Sequence, residues 1–277
     1  MQAVRGGAVS VRKAGKVYDP EGLNVVALED VSFEITPGQF CVVVGPSGCG
    51  KTTLLNAIAG FDKLSGGKIL IDDEVLARAD KAPKPGADRM VVFQQGALFP
   101  WKTVLWNVIC GPVQQGRLSQ KEAITQAREL LGRVGLSKIE EQYPGSLSGG
   151  MKRRVEIVRA LMNDPKVLLL DEPFRALDAL TKSVVQEFLL ELYDITPKTI
   201  FFITHDIAEA IFLADRIVIM TTRPGRVLKT VTVNIPRPRD YRVLTSPRFL
   251  QIEQEVREYI DSEARKAFNA GERELAQ

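Results

Sequence analysis

"GQFCVVVGPSGCGKTTLLNAIAG", Gly38 to Gly60, begins as an apolar, β-rich run closed by Gly45 and ends with Leu54, Leu55, Ile58 and Ala59 at helical spacing. A strand, a loop and a helix are read from it in that order. The loop, "GPSGCGKTT" at Gly45–Thr53, fits G-x-x-x-x-G-K-[ST] in the setting that motif requires. Gly45, Gly48 and Gly50 let the backbone wrap phosphates, Lys51 can reach β and γ oxygens, and the Thr52 hydroxyl can ligate Mg2+. Pro46, Ser47, Cys49 and Thr53 complete the candidate loop. Lys51 and the helix N-terminus beside Cys49 are expected to favour its thiolate, although a small filler residue is the simpler reading of that position.

Further apolar runs end in residues that suit the same chemistry. "VLLLDEP", Val167–Pro173, sets two acids at the end of a strand: Asp171 can orient the water shell of a metal, and Glu172 can act as general base on an attacking water. His205, the single histidine of the chain, follows "KTIFFIT", the strand expected beside the acid-bearing one. A lone histidine there is usually just a strand-end residue; here its ring can meet a γ-phosphate from the far side. Gln94, in "RMVVFQQGALFPW", also ends an apolar run, and a neutral amide can ligate Mg2+ and touch the attacking water without adding charge. Gln95 is an alternative ligand, with the strand end favouring Gln94.

The rhythm around these runs defines a fold class. "KVLLLDEP", "TKSVVQEFLLELYD", "KTIFFITHD" and "IAEAIFLA" alternate strand and helix, as in a mostly parallel sheet buried on both faces. "VSVRKAGKVY" and "VALEDVSFEI" alternate with period two around "DPEGLN", predicting an N-terminal antiparallel edge. Residues 95–163 change to helical patterns and read as a helical subdomain within an α/β core formed by 1–94 and 164–240. "RPGRVLKTVTVNIPRPRD" predicts one or two exposed strands, and an amphipathic helix is expected at about 246–270. The 277 residues are therefore read as one P-loop NTPase domain of α/β class.

Composition excludes little but agrees. The chain is 45% hydrophobic and 26% charged with a formal net charge of +3, too small an excess to point to nucleic acid. Its apolar runs are strand-length, far short of a membrane span. Cys41, Cys49 and Cys110 form neither a CxxC pair nor an even set, and the N-terminus lacks the apolar core of a secretory signal, so a reducing, cytoplasmic address is expected.

A second anion site then needs an owner. "SLSGGMKRR", Ser146–Arg154, bares backbone N–H groups at the start of a basic helix, where the helix dipole is positive. A single nucleotide rarely needs two such sites. Together these motifs resemble the ATP-binding cassette ATPases, over Tyr18 to about Thr221, with Ser148, Gly149 and Gly150 matching that family's signature sequence. The resemblance implies ATP as ligand, with Tyr18 stacking on adenine. It also implies a pair of cassettes, head to tail, in which Ser148 and its glycines hold the γ-phosphate bound by the partner's loop. "RALD", Arg175–Asp178, matches the segment through which the two communicate, which brings Asp178 into the site.

Three residues depart from the family pattern. Met151 stands where glutamine is usual, a choice similar to the branch of nitrate, sulfonate and taurine importers; "LFPWKTV" resembles that branch too. Arg153 replaces a second glutamine and removes an amide that could cap or cross-link. Arg175 stands where glycine or serine is usual, and can either reach the partner's phosphates or crowd the interface.

The resemblance implies a detached ATPase subunit, a homodimer in the expected case, at the cytoplasmic face of the membrane beneath two permease subunits. A periplasmic or extracellular solute-binding protein would feed the system, and no nucleic acid is involved. "GALFPWKTVLWNV", with Phe99, Trp101 and Trp106, lies where family members receive a permease helix. The alternative is a cassette powering drug or lipid export through separate membrane subunits. Nothing in the chain names the solute.

Overall fold

The computed structural model describes residues 6–19, 22–81, 83–195 and 198–269. The chain runs β1 (Val9–Tyr18), β2 (Val25–Ile35), β3 (Phe40–Val44), α1 (Lys51–Ala59), β4 (Gly66–Ile71), β5 (Glu74–Arg78), β6 (Arg89–Val92), α2 (Val104–Gln114) and α3 (Gln120–Arg133). It continues through α4 (Gly149–Met162), β7 (Val167–Asp171), α5 (Ala179–Ile195), β8 (Thr199–Ile203), α6 (Ile207–Leu213), β9 (Arg216–Met220), β10 (Val227–Thr232) and α7 (Pro247–Asn269).

Six strands form the expected mostly parallel sheet in the order β10-β9-β3-β8-β7-β6, with only β10 antiparallel. Strands β3, β8 and β7, apolar apart from Thr199 and Asp171, lie inside the sheet and are buried at every position. Successive residues serve opposite faces. Val43, Leu169, Phe201 and Ile203 join a core with α1 and the N-terminal strands, whereas Val42, Leu168, Leu170 and Phe202 join the core with the helices. As expected, β8 lies beside β7, with Asp171 opposite Ile203.

The N-terminal strands do pair antiparallel, and β2 meets the β10 edge of the parallel sheet through bonds from Glu29 N–H to the Gly225 carbonyl and from Gly225 N–H to the Ala27 carbonyl. With β4 and β5 they make a separate four-stranded sheet in the order β2-β1-β4-β5. The β4–β5 hairpin was not legible because its two-residue turn is Asp72-Asp73 rather than a glycine pair; both residues adopt positive φ, at 49° and 67°. Residues 95–163 carry α2, α3 and α4. Among the described residues after Met220 there is a single strand, β10, followed by α7, which returns to the core through Phe249, Ile252 and Val256.

The return also secures α6, the helix that follows His205. Buried Arg239 donates to the carbonyls of Ile211, Phe212 and Ala214 at 2.7–3.2 Å, and to that of Ile235. These include carbonyls that the end of a helix otherwise leaves unpaired. Arg239→Met is expected to lower stability by about 3 kcal/mol, because buried acceptors lose a charged donor. Guanidinium-induced unfolding would measure it, and an unshifted midpoint would mean that those carbonyls have other partners.

Candidate nucleotide site

The strand β3 delivers Gly45–Thr53 to the C-terminal edge of the parallel sheet. Gly48 and Gly50 have φ of 76° and 91°, where a side chain is strained, and a Cβ on Gly50 would come within 2.6 Å of Leu28 and 2.8 Å of the Ala27 carbonyl. Gly50 precedes α1 without any side-chain cap, whereas α2 is capped by Thr103 and α3 by a Ser119–Glu122 capping box. The first N–H groups of α1 are thus left for an anion. Lys51 is buried, its Nζ donating to the Gly45 and Pro46 carbonyls at 2.8 Å each. Neutral carbonyls are partners that a phosphate can replace.

Strands β7 and β8 bring three predicted residues to this loop. The Thr52 hydroxyl lies 3.1 Å from Asp171 Oδ2, and burial raises the pKa of Asp171. Glu172 has φ of 40° and donates its N–H to the Ile203 carbonyl, which ties its position to β8. A non-glycine residue held there stores about 1–3 kcal/mol of strain. Its Oε1 is 3.4 Å from His205 Nδ1 and its Oε2 accepts from Arg175 at 3.2 Å. The interaction with His205, more than the charges of Arg175 and Lys51, holds the Glu172 carboxyl below its ordinary range, and the same contact raises His205. Arg175 thus meets the chain's own Glu172, a partner that the sequence reading did not weigh.

The residues suit Mg2+. This ion keeps several waters and takes oxygen ligands from one or two side chains plus substrate phosphates. Thr52 and Asp171 supply such oxygens, and among the described residues no cluster of three His, Cys, Asp or Glu side chains forms a metal cage.

Gln94 lies just beyond β6, exposed, in an irregular segment beside the end of β7. Its carbonyl accepts from Arg153 Nη2 at 2.8 Å, and the Phe93 carbonyl accepts from Arg153 Nη1 at 2.7 Å. The departure at 153, expected to remove a cross-link, instead supplies one. Tyr18 ends β1; its hydroxyl donates to Asp62 at 2.6 Å and Lys16 Nζ sits 4.6 Å from its ring centroid. Asp62, which follows α1, was not found from the sequence because no motif marks it.

Ser148, Gly149 and Gly150 open α4, with the Ser148 hydroxyl accepting from Met151 N–H at 3.3 Å. Ser148 and Gly149 are exposed, and a Cβ on Gly150 would overlap Thr181 of α5. Asp178 caps α5 by accepting from Thr181 N–H at 3.0 Å. Among the described residues no hydrogen bond or ion pair joins Ser148 to residues 45–53 of the same chain.

Cys49 corrects an expectation. Its side chain is 1% exposed, and burial raises its pKa despite Lys51 Nζ at 3.6 Å, so the thiol is the form present at neutral pH. Native alkylation at pH 7.5 is expected to label Cys110, which is partly exposed, well before Cys49 or Cys41. Peptide mass spectrometry over a time course would check the order, and early labelling of Cys49 would contradict it.

Comparison with known proteins shows the family. A family model for ABC transporters matches residues 28–175. An ABC transporter ATP-binding protein of Methanocaldococcus jannaschii is 43% identical, covering 94% of this chain and 93% of its own. The taurine import ATP-binding protein of Rhizobium johnstonii is 45% identical, over 87% and 91%, and the nitrate import ATP-binding protein of Synechocystis is 43% identical, over 90% and 93%. Among solved structures, a dimeric post-hydrolysis ATP-binding cassette bound to ADP and Pi is similar, with TM-score 0.71 and 32% identity over 82% of this chain and 100% of that one. A phosphate loop, an acid-bearing strand and a separate signature helix in one chain, together with these likenesses, lead to one assignment: the protein belongs to the ATP-hydrolysing, ATP-binding subunits of ABC transporters.

Proposed function

We propose that the chain powers a bacterial uptake system for a small solute of the nitrate, sulfonate or taurine type. It would work as a homodimer of single-domain cassettes at the cytoplasmic face of the membrane, beneath two permease subunits fed by an external solute-binding protein. One observation carries this reading: the reactive groups gather at the loop, while Ser148 stands apart at the exposed start of α4. A site in two halves suits closure between two chains. The import names of the taurine and nitrate relatives support uptake, and the dimeric solved relative supports pairing. Among the described residues no helix is long and apolar enough to cross a membrane.

In this reading the residues from Gly45 to Thr53 wrap the phosphates, and Lys51 leaves its two carbonyls for β and γ oxygens. Tyr18 stacks on adenine. Thr52, Asp171 and Gln94 hold Mg2+, which when bound neutralises charge on the phosphate oxygens. Glu172 takes the proton of the attacking water. That carboxylate is kept ionised by His205 and Arg175, one on each oxygen, and each oxygen keeps a further lone pair with which to accept a proton. His205 then remains to face the γ-phosphate. Ser148, Gly149 and Gly150 present N–H groups and a hydroxyl to the partner's γ-phosphate, and Asp178 lies at the contact between chains.

Glu172→Gln is expected to keep ATP binding and lose turnover by roughly 10²–10⁴-fold. Size-exclusion with light scattering, with and without ATP and Mg2+, should show an ATP-dependent dimer of this variant. A variant that binds ATP but remains monomeric would show that Ser148 does not complete a second copy's site.

A further inference from the structure

We propose that Arg153 and Glu156 lock the Gln94 segment to α4, so that Gln94 and the Ser148 end of that helix move as one unit; this rests on the reading of the site given above. Residues 93–98 form no helix or strand, so their backbone groups have no ladder to join. Side chains of α4 take that place. Arg153 forks across two successive carbonyls, those of Phe93 and Gln94, and pairs with Glu156 Oε2 at 2.8 Å. The other oxygen, Glu156 Oε1, accepts from Ala97 N–H at 2.6 Å, and Arg159 donates to the Ala97 carbonyl at 2.8 Å. The Arg153 and Glu156 side chains are only 8% and 4% exposed.

These contacts differ from ordinary loop anchoring in two respects. They are short, charge-assisted and shielded from water, so the segment has few alternative partners if it shifts alone. The fork also fixes the spacing of two adjacent carbonyls while the same guanidinium pairs with a carboxylate. A glutamine amide has two donors and no charge, and a lysine has no fork, so neither reproduces that geometry. The Gln94 side chain remains exposed and outside the clamp. Arg153 is therefore a positioning residue for Gln94, acting through its backbone.

The clamp extends to a natural reporter. The Arg159 guanidinium lies 5.9 Å from the Phe99 ring, which packs against Trp101 and Trp106 at centroid distances of 5.8 and 5.6 Å. These are the only tryptophans in the chain. When α4 moves as Ser148 engages a partner's nucleotide, the clamp should carry the tryptophan environment with it.

The test is a titration of ATP with Mg2+ into the full chain, followed by tryptophan emission and, separately, by equilibrium binding of labelled ATP. Arg153→Met and the charge-balanced double variant Arg153→Met/Glu156→Leu are compared with the unsubstituted protein, the double variant guarding against misfolding from a lone buried carboxylate. Kd for ATP should stay within about twofold while the ATP-induced emission change falls to roughly a third or less. Turnover should lose about 10-fold in kcat with KM unchanged, and Arg153→Lys should restore only part. A full emission response and full kcat in the folded double variant would overturn the clamp while leaving the functional reading intact. Failure of the unsubstituted chain to bind ATP would overturn both.

Discussion

The hydrogen bond between Thr52 and Asp171 joins the start of α1 to the end of β7, although β8 lies between β7 and the strand that feeds α1. Strands separated by a third cannot share backbone bonds, so only side chains beyond the C-terminal edge can make this link. Open parallel sheets place ligands at that edge. Here the geometry arises because β3, β8, β7 and β6 all run in the same direction and end together. The loop, His205, the acid pair and Gln94 consequently follow one another across the edge, although they are far apart in sequence.

Burial sets the electrostatic character of that edge. Asp171 is driven toward its neutral form by desolvation, whereas Glu172, one residue later, is held ionised by His205 and Arg175. Adjacent carboxyl groups are pushed in opposite directions, a separation suited to giving two acids different tasks. A metal cation entering beside Asp171 would oppose its desolvation. The cationic side of the loop is arranged similarly: Lys51 is buried against carbonyls that compete weakly with phosphate.

Helix α4 has two different ends in this respect. Gly150 is small where it packs directly on Thr181 of α5, while Ser148 and Gly149 before it are exposed. One turn later Arg153 and Glu156 are buried and gripped by the Gln94 segment. A helix exposed at its start and fastened just beyond it is built to transmit a displacement of its exposed end. Gly150 thus answers a demand for close packing, and in the proposed function the exposed Gly149 beside it meets an anion from outside.

Much of the site is legible in the sequence because phosphate chemistry demands glycines, a lysine and a hydroxyl at fixed spacing, and because buried parallel strands are uniformly apolar up to the residue that leaves the sheet. Gly45–Thr53, Asp171, Glu172 and His205 were found by those two signals. Other features carry no local signature. The β4–β5 strands depend on an Asp-Asp turn and on pairing with β1, far earlier in the chain. Cys49 looks electropositive in sequence, but the packing around it determines that burial outweighs Lys51. Arg153 and Arg175 read only as departures, since a guanidinium's partner is whatever the fold brings within reach: two loop carbonyls for one, Glu172 for the other. The sequence by itself determined which chemical groups are present and on which kind of element each sits. Only the tertiary structure decided their desolvation and pairing, because those depend on groups brought together from distant parts of the chain.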